Sequence, residues 1–285
     1  MLRKPTNRRV KNMRKNHWLK GNGVNQLLVV SLMTIISFGA TAGDLTPKQI
    51  MEKTSEARKL DGSESVMSLT IYSKDGDKRV REIAMVSKVY DNGDTEKRLY
   101  RFLNPADVKG TGILTFDYEK KDDDTWIFLP ALRKTRRIVS SEKGKAFMGS
   151  EFSYADMNTP ILDNYNLKIV KEEKVDGADC YLIEVLPKNK KIGEEEGYSK
   201  KHVWVGKSDF MIRKSAFWDL DGELLKELTA KNIKMVDAKK KRYRSMYMEM
   251  VNKQNGRKSV FETKKIENAP NAKDEYFTTQ YLERP

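Results

Sequence analysis

The chain has 285 residues, 38% of them hydrophobic, enough to bury one large β domain or two of ordinary size. Its formal charge of +14 invites a nucleic-acid reading, but eight of the 55 basic residues and none of the 41 acidic ones lie in the first 42 positions, which look like a discarded leader. Without that leader 47 basic residues face 41 acidic ones, a net of +6, so nucleic acid loses most of its support, and the lone cysteine, Cys180, excludes an intramolecular disulfide.

Arg3, Lys4, Arg8, Arg9, Lys11, Arg14, Lys15 and Lys20 precede an apolar run from Val24 to Phe38, and Ala40, Thr41 and Ala42 supply the small residues a signal peptidase accepts. Cleavage is expected after Ala42. About fifteen apolar residues are fewer than the ~20 that span a bilayer. Met13 is an alternative start, and Arg8-Arg9 lacks the apolar residues that follow a twin-arginine signal. No cysteine directly follows the apolar run, so residues 43–285 are expected to be unlipidated and soluble in the periplasm. With no long linker and no internal repeat, they read as one domain.

A helix is predicted from Thr46 to Leu60, with Thr46 as N-cap, Pro47 at its first position, and Ile50, Met51, Ala57 and Leu60 on one face. Beyond it, Asp75-Gly76, Asn92-Gly93, Asp176-Gly177, Asp221-Gly222 and Asn255-Gly256 each separate two β-like runs. These dipeptides suit the positive-φ positions of tight hairpin turns, so they predict an antiparallel meander of about ten or eleven strands. The fold class expected is α+β, mostly β. In one strand Leu114, Phe116 and Tyr118 alternate with Thr115, Asp117 and Glu119.

The stretch from Thr125 to Met157 carries the most information. Trp126, Ile127, Phe128, Leu129, Ala131 and Leu132 leave no polar side, and Arg133, Lys134, Arg136 and Arg137 follow at once. An apolar wall opening on a cationic rim suits a lipid, acyl chains inside and anionic headgroup outside; a core strand running to a solvated edge is the competing reading. A short helix interrupted at Pro160 is predicted from Ser153 to about Tyr165, and residues 188–201 read as an exposed loop. Cys180 lies in the strand pattern DCYLIEV, where a buried, inert thiol is expected. Met246, Met248 and Met250 share a strand face and suit either an adaptable ligand wall or irregular core space. The final DEYFTTQYLERP is compatible with a turn or a strand.

Catalytic groupings are scarce. His202 is the lone histidine after the leader, and with one cysteine it cannot build a common His/Cys zinc site. No nucleophile elbow, phosphate loop or dinucleotide fingerprint occurs. The acidic triplets at 122–124 and 194–196 match no calcium loop, and the basic run 239–242 reads as a solvated hairpin end. No metal and no cofactor is expected.

The patterns WIFLPALRKTRRI and FMGSEFSYADM, within Trp126–Met157, resemble those of LolA-like proteins of the outer-membrane lipoprotein-sorting branch, and the likeness extends over most of the mature chain. The resemblance implies a strongly curved, incomplete antiparallel β-barrel, helices across its concave side, and an apolar cavity for acyl chains. It implies a periplasmic shuttle without a covalent step, for lipoprotein, lipid or another hydrophobic molecule. Partners would be an RND-type inner-membrane transporter and an outer-membrane receptor, and the protein a monomer. The position of the lipoprotein carrier's lid-contacting arginine has no clear match here.

On this reading the cavity wall is Leu114, Phe116, Trp126, Phe128, Trp204, Phe217, Met246 and Met248. The rim is Arg133, Arg136 and Arg137, and the lid is Phe147, Met148, Phe152, Tyr154 and Met157. Periplasmic sensors that control envelope-stress sigma factors share a similar half-barrel, which keeps a regulatory binding module as the alternative; an enzyme using His202 is a third.

Overall fold

The structure, a computed structural model, describes residues 44–284; the segment expected to act as a signal peptide lies outside them. The first element is helix α1 (Pro47–Arg58), as expected, opened by a capping box in which Thr46 and Gln49 satisfy each other's backbone N–H groups. Its face of Ile50, Met51 and Ala57 is buried, with Leu60 just beyond it.

Thirteen strands follow: β1 (Gly62–Tyr72), β2 (Lys78–Tyr90), β3 (Thr95–Asn104), β4 (Gly112–Tyr118), β5 (Asp124–Leu129), β6 (Lys134–Ile138), β7 (Tyr165–Val175), β8 (Ala178–Pro187), β9 (Lys200–Gly206), β10 (Ile212–Trp218), β11 (Leu224–Asp237), β12 (Arg242–Asn252) and β13 (Lys258–Asn268). All five Asn-Gly and Asp-Gly dipeptides connect consecutive paired strands. At the β7–β8 hairpin Asp176 and Gly177 both have positive φ, 47° and 81°, as a type I′ turn requires. The sheet exceeds the expected ten or eleven strands because other hairpins turn without such a dipeptide. The β5–β6 connection, for instance, is a 3-10 turn, Pro130–Leu132, ended by Arg133 in the left-handed region.

The strands form one antiparallel sheet in the order β6-β5-β4-β3-β2-β1-β13-β12-β11-β10-β9-β8-β7, with β6 and β7 as its open edges. The chain enters mid-sheet, runs out to one edge, and must cross to the other before returning. A flat sheet of this width would separate its edges by about 58 Å at ~4.8 Å per strand. The crossing segment, 139–164, coils through four 3-10 turns and so falls well short of its extended reach of about 90 Å. A crossing by so coiled a segment fits a curved sheet, whose edges approach each other.

The face that 139–164 and α1 cover is termed inner. Register assigns the rest, because residues directly opposite in a ladder share a face and alternate positions change face. Tyr100, opposite Met85 and Ile113, is inner; Leu99, opposite Val86 and Leu114, is outer. Beneath 139–164 the inner face buries Leu69, Ile83, Tyr100, Phe102, Ile113, Ile127 and Phe261; beneath α1 it buries Ile183, Val203 and Val205.

Three local expectations change. Residues 188–201 hold helix α2 (Lys190–Glu196), capped by the Asn189 side chain and closed by Gly197 in the left-handed conformation. The helix expected from Ser153 is instead two 3-10 turns, Ala155–Met157 and Leu162–Asn164, since the Ser153 and Asp156 side chains bond each other's backbone N–H groups. The C-terminal stretch forms a 3-10 turn, Asp274–Phe277, and a short helix α3 (Thr279–Leu282) against the outer face.

Candidate functional site

The crossing segment gathers the expected lid residues on one side. Ala146 and Ser153 pair as an isolated bridge, and the Phe147 N–H donates to the Phe152 carbonyl at 2.7 Å, closing a loop that turns at Met148 and Gly149, both of positive φ. Phe147 is buried, with ring centroids 6.1 Å from Tyr100, 5.6 Å from Tyr154 and 6.1 Å from Phe261; Phe152 lies 5.0 Å from Phe261. Met148, Tyr154 and Met157 pack against the same inner-face cluster and stay partly exposed.

Polar contacts fasten the segment at both ends and in the middle. Arg81 and Arg257 donate to the Met148 and Gly149 carbonyls. In the middle Lys226 Nζ donates to Asp156 Oδ2 at 2.8 Å and to the Glu151 carbonyl at 2.7 Å, and the Tyr198 hydroxyl donates to Asp156 at 3.0 Å. Burial by itself raises the Asp156 carboxyl, but the charge and hydrogen bond of Lys226 outweigh it and hold the group below the usual carboxylate range. At the far end Asn158 accepts from Arg98 at 2.9 Å and donates to Asp123 at 2.8 Å, while the Thr159 N–H donates to Asp117 at 3.0 Å.

These last contacts belong to a charged cluster on the inner face. Arg98 pairs with Asp117 at 2.7 Å and Glu96 at 3.4 Å, all three being mostly buried. Burial, with Asp117 alongside, pushes the Asp123 carboxyl up to about 7. Arg58, in the last turn of α1, and Arg244, on β12, complete the group; burial lowers both, and Arg244 falls to about 10 with Arg58 and Arg98 nearby. Sequence reading missed this cluster entirely.

The residues expected to form one cavity wall fall on two faces. Phe217, Met246 and Met248 are inner: Met248 lies opposite Phe261 and Phe217 opposite Lys226. Leu114, Phe116, Trp126 and Phe128 are outer, and they pack with Phe277 and Leu282 beneath the C-terminal stretch. They therefore share no compartment with the residues expected to form the lid. Trp204 is outer as well, its Nε1 donating to Glu173 at 2.7 Å, with His202 between it and Trp218. The correction has a simple origin, since β4 and β5 are covered on both sides and hydrophobicity there does not distinguish the faces.

The expected rim also divides. Arg136 and Arg137 are successive residues and so point to opposite faces, Arg136 pairing with Glu142 at 2.8 Å and Arg137 with Asp124. Arg133 is exposed beside Leu132, a turn residue 68% exposed rather than part of a strand. Two surface cavities accompany these features. One, about 400 Å³, is lined by Leu60, Met235, Met246 and Ile266; the other, about 630 Å³, by Ser65, Met85, Leu99, Arg101 and Tyr281.

Among the described residues no group of three or more His, Cys, Asp or Glu side chains is placed to hold a metal ion, and no helix is long and apolar enough to cross a membrane. No curated protein matches the chain. A family profile described as that of an uncharacterized protein matches residues 94–284. A Vibrio parahaemolyticus domain described as an outer membrane lipoprotein-sorting protein is 31% identical over 82% of this chain and 96% of its own, with a TM-score of 0.74. A DUF1329 family protein from Desulfovibrio piger is 28% identical over 82% and 96%, with a TM-score of 0.75. A LolA superfamily protein from Nitrosomonas europaea, 21% identical over 84% and 100% with a TM-score of 0.64, shares the fold. An open, curved antiparallel sheet spanned on one face by its own crossing segment, matched in sequence over four-fifths of the chain, places this protein in the family of outer-membrane lipoprotein-sorting proteins, with a LolA-like fold.

Proposed function

We propose that this protein is a periplasmic carrier that takes acyl chains, or cargo of similar hydrophobicity, between the inner face and the segment 139–164. The observation that carries this reading is the seam itself. Five methionines, Met67, Met85 and Met248 on the sheet and Met148 and Met157 on the lid, pack there with partial exposure around the aromatic side chains. Thioether side chains are flexible and polarisable, so such a seam can part and repack around chains of differing shape. The lid thereby occupies the place that cargo would take.

Burial of an alkyl chain would supply about 0.8 kcal/mol per methylene, offset by ordering of the chain. Phe217, Met246 and Met248 remain candidate wall residues, joined by Met67, Met85 and Leu228. The family's description as lipoprotein-sorting proteins supports transfer toward the outer membrane, and an RND-type transporter and an outer-membrane receptor are the partners we favour. The leader, cleaved after Ala42, would deliver residues 43–285 as one periplasmic domain. Native mass spectrometry after gentle purification tests the reading: co-purifying lipid is expected, and a ligand-free protein that also ignores added lipid overturns it.

A further inference from the structure

The inner face changes chemistry within one step along four strands. On β3 Arg98 is followed on the same face by Tyr100, on β2 Ser87 by Met85, on β1 Ser65 by Met67, and on β12 Arg244 by Met246. Two of these steps are aligned across adjacent strands, because Arg98 lies opposite Ser87 and Tyr100 opposite Met85; on β1 the change comes one pair later, Ser63 lying opposite Ser87 and Ser65 opposite Met85. A boundary between hydrogen-bond donors and apolar side chains is therefore built into the register.

The donors on the polar side are under-used. Ser65 Oγ, Arg98 Nε and Arg242 Nε are buried without a hydrogen-bond partner, and all three belong to the inner face. Glu96 and Asp117 both form their ion pairs with Arg98. Among the described residues Arg58 and Arg244 have no ion-pair partner; Arg58 donates only to the Thr54 carbonyl and Arg244 only to the Tyr243 carbonyl. Half-buried guanidinium groups without a counter-ion are costly, and an oxyanion is the group that satisfies them, since each presents a fork of donors to two oxygens. Burial lowers both Arg58 and Arg244 although the Glu96 carboxylate nearby favours their charged forms.

We propose that Arg58, Arg98 and Arg244, with Ser65, bind the carboxylate or phosphate headgroup of an anionic amphiphile whose chain lies along Tyr100, Met85, Met67 and Met246. This rests on the carrier reading and deepens it by naming the cargo's headgroup and its orientation. The headgroup enters the interior of the fold, not the exposed rim at Arg133, Arg136 and Arg137.

Binding of hexadecanoate, hexadecyl phosphate, hexadecanol and inorganic phosphate to the full mature protein tests it by calorimetry. The two anionic amphiphiles are expected to bind about tenfold or more tightly than the alcohol, and R58Q/R244Q to reduce that ratio to near one while the alcohol's affinity holds. Unchanged alcohol binding shows that the variant is folded; R58K/R244K, which keeps the charge, is expected to retain part of the preference. Equal binding of acid and alcohol by the wild type, or an unaltered ratio in R58Q/R244Q, overturns the headgroup site and leaves the carrier reading intact. Inorganic phosphate binding as tightly as hexadecyl phosphate overturns the amphiphile in favour of a free anion. Binding of none of the chain-bearing probes overturns the carrier reading itself.

Discussion

Lys226 on β11 and Asp156 in the crossing segment form an ion pair of 2.8 Å with side chains only 6% and 8% exposed, so that segment is tied to the sheet by a bond out of water. Removing one partner strands the other charge. Lys226→Met and Asp156→Asn should each cost about 3–5 kcal/mol in urea unfolding, and the double variant less than the sum of the two. Each should also speed entry of a hydrophobic probe in stopped-flow fluorescence. Additive costs with unchanged entry rates would show that the pair does not hold the lid.

Two buried acids, Asp156 in the crossing segment and Asp123 beside it, respond to pH with opposite sign. Asp156 is depressed in the folded state, so its contribution is present above the ordinary aspartate value of ~3.9 and is lost as pH falls through the folded value. Asp123, raised to about 7, binds its proton more tightly when folded, so its ionisation weakens the fold progressively as pH rises from ~3.9 to about 7. The Asp123→Asn variant should gain stability relative to wild type more at pH 8 than at pH 5 in parallel melts. A difference independent of pH would refute the assignment.

The two faces should separate by mutation. Met85→Glu or Met248→Lys puts a charge into the lid seam and should reduce affinity for a hydrophobic dye more than tenfold, since an unpaired charge in an apolar site is strongly disfavoured. Trp126→Ala, on the outer face, should lower stability by about 3 kcal/mol and leave dye affinity near the wild-type value. Loss of dye binding in Trp126→Ala alone would relocate the cargo to the outer face.

Gly112 offers a second handle on that outer face. A Cβ there would stand 2.5 Å from Leu282 Cδ1 and 3.1 Å from Arg101 Nη1, and Arg101 itself holds the Leu282 and Tyr281 carbonyls at 2.9 and 3.1 Å. Gly112→Val is expected to dislodge α3, at a cost of about 1–3 kcal/mol, and to expose the C-terminal stretch to protease. Dye binding on the inner face should survive.

The β scaffold was legible because Asn-Gly and Asp-Gly turns carry their geometry in two adjacent residues, and α1 because its capping box and apolar spacing are local. That a segment covers the sheet was legible for a related reason: its aromatic residues cluster within eleven positions, Phe147–Met157. Face assignment in β4 and β5 was not. Ile113 and Leu114, or Ile127 and Phe128, are equally apolar neighbours that serve opposite sides, and what covers the outer side, the stretch around Phe277 and Leu282, is distant in sequence. The charged cluster was hidden for the same reason in stronger form. Arg58, Arg98 and Arg244 come from three widely separated elements, and each looks like an ordinary surface residue in its own segment.

The strand order has a consequence for how the molecule could be cut. Strands β1–β6 and β7–β13 are two uninterrupted meanders, joined covalently through the crossing segment and non-covalently through the ladder between β1 and β13. A nick in the lid would leave both pieces zipped along that ten-pair seam. The lid is thus a strap whose release need not split the vessel beneath it, so a protease-clipped form should still migrate as one particle under native conditions and as two bands under denaturing ones.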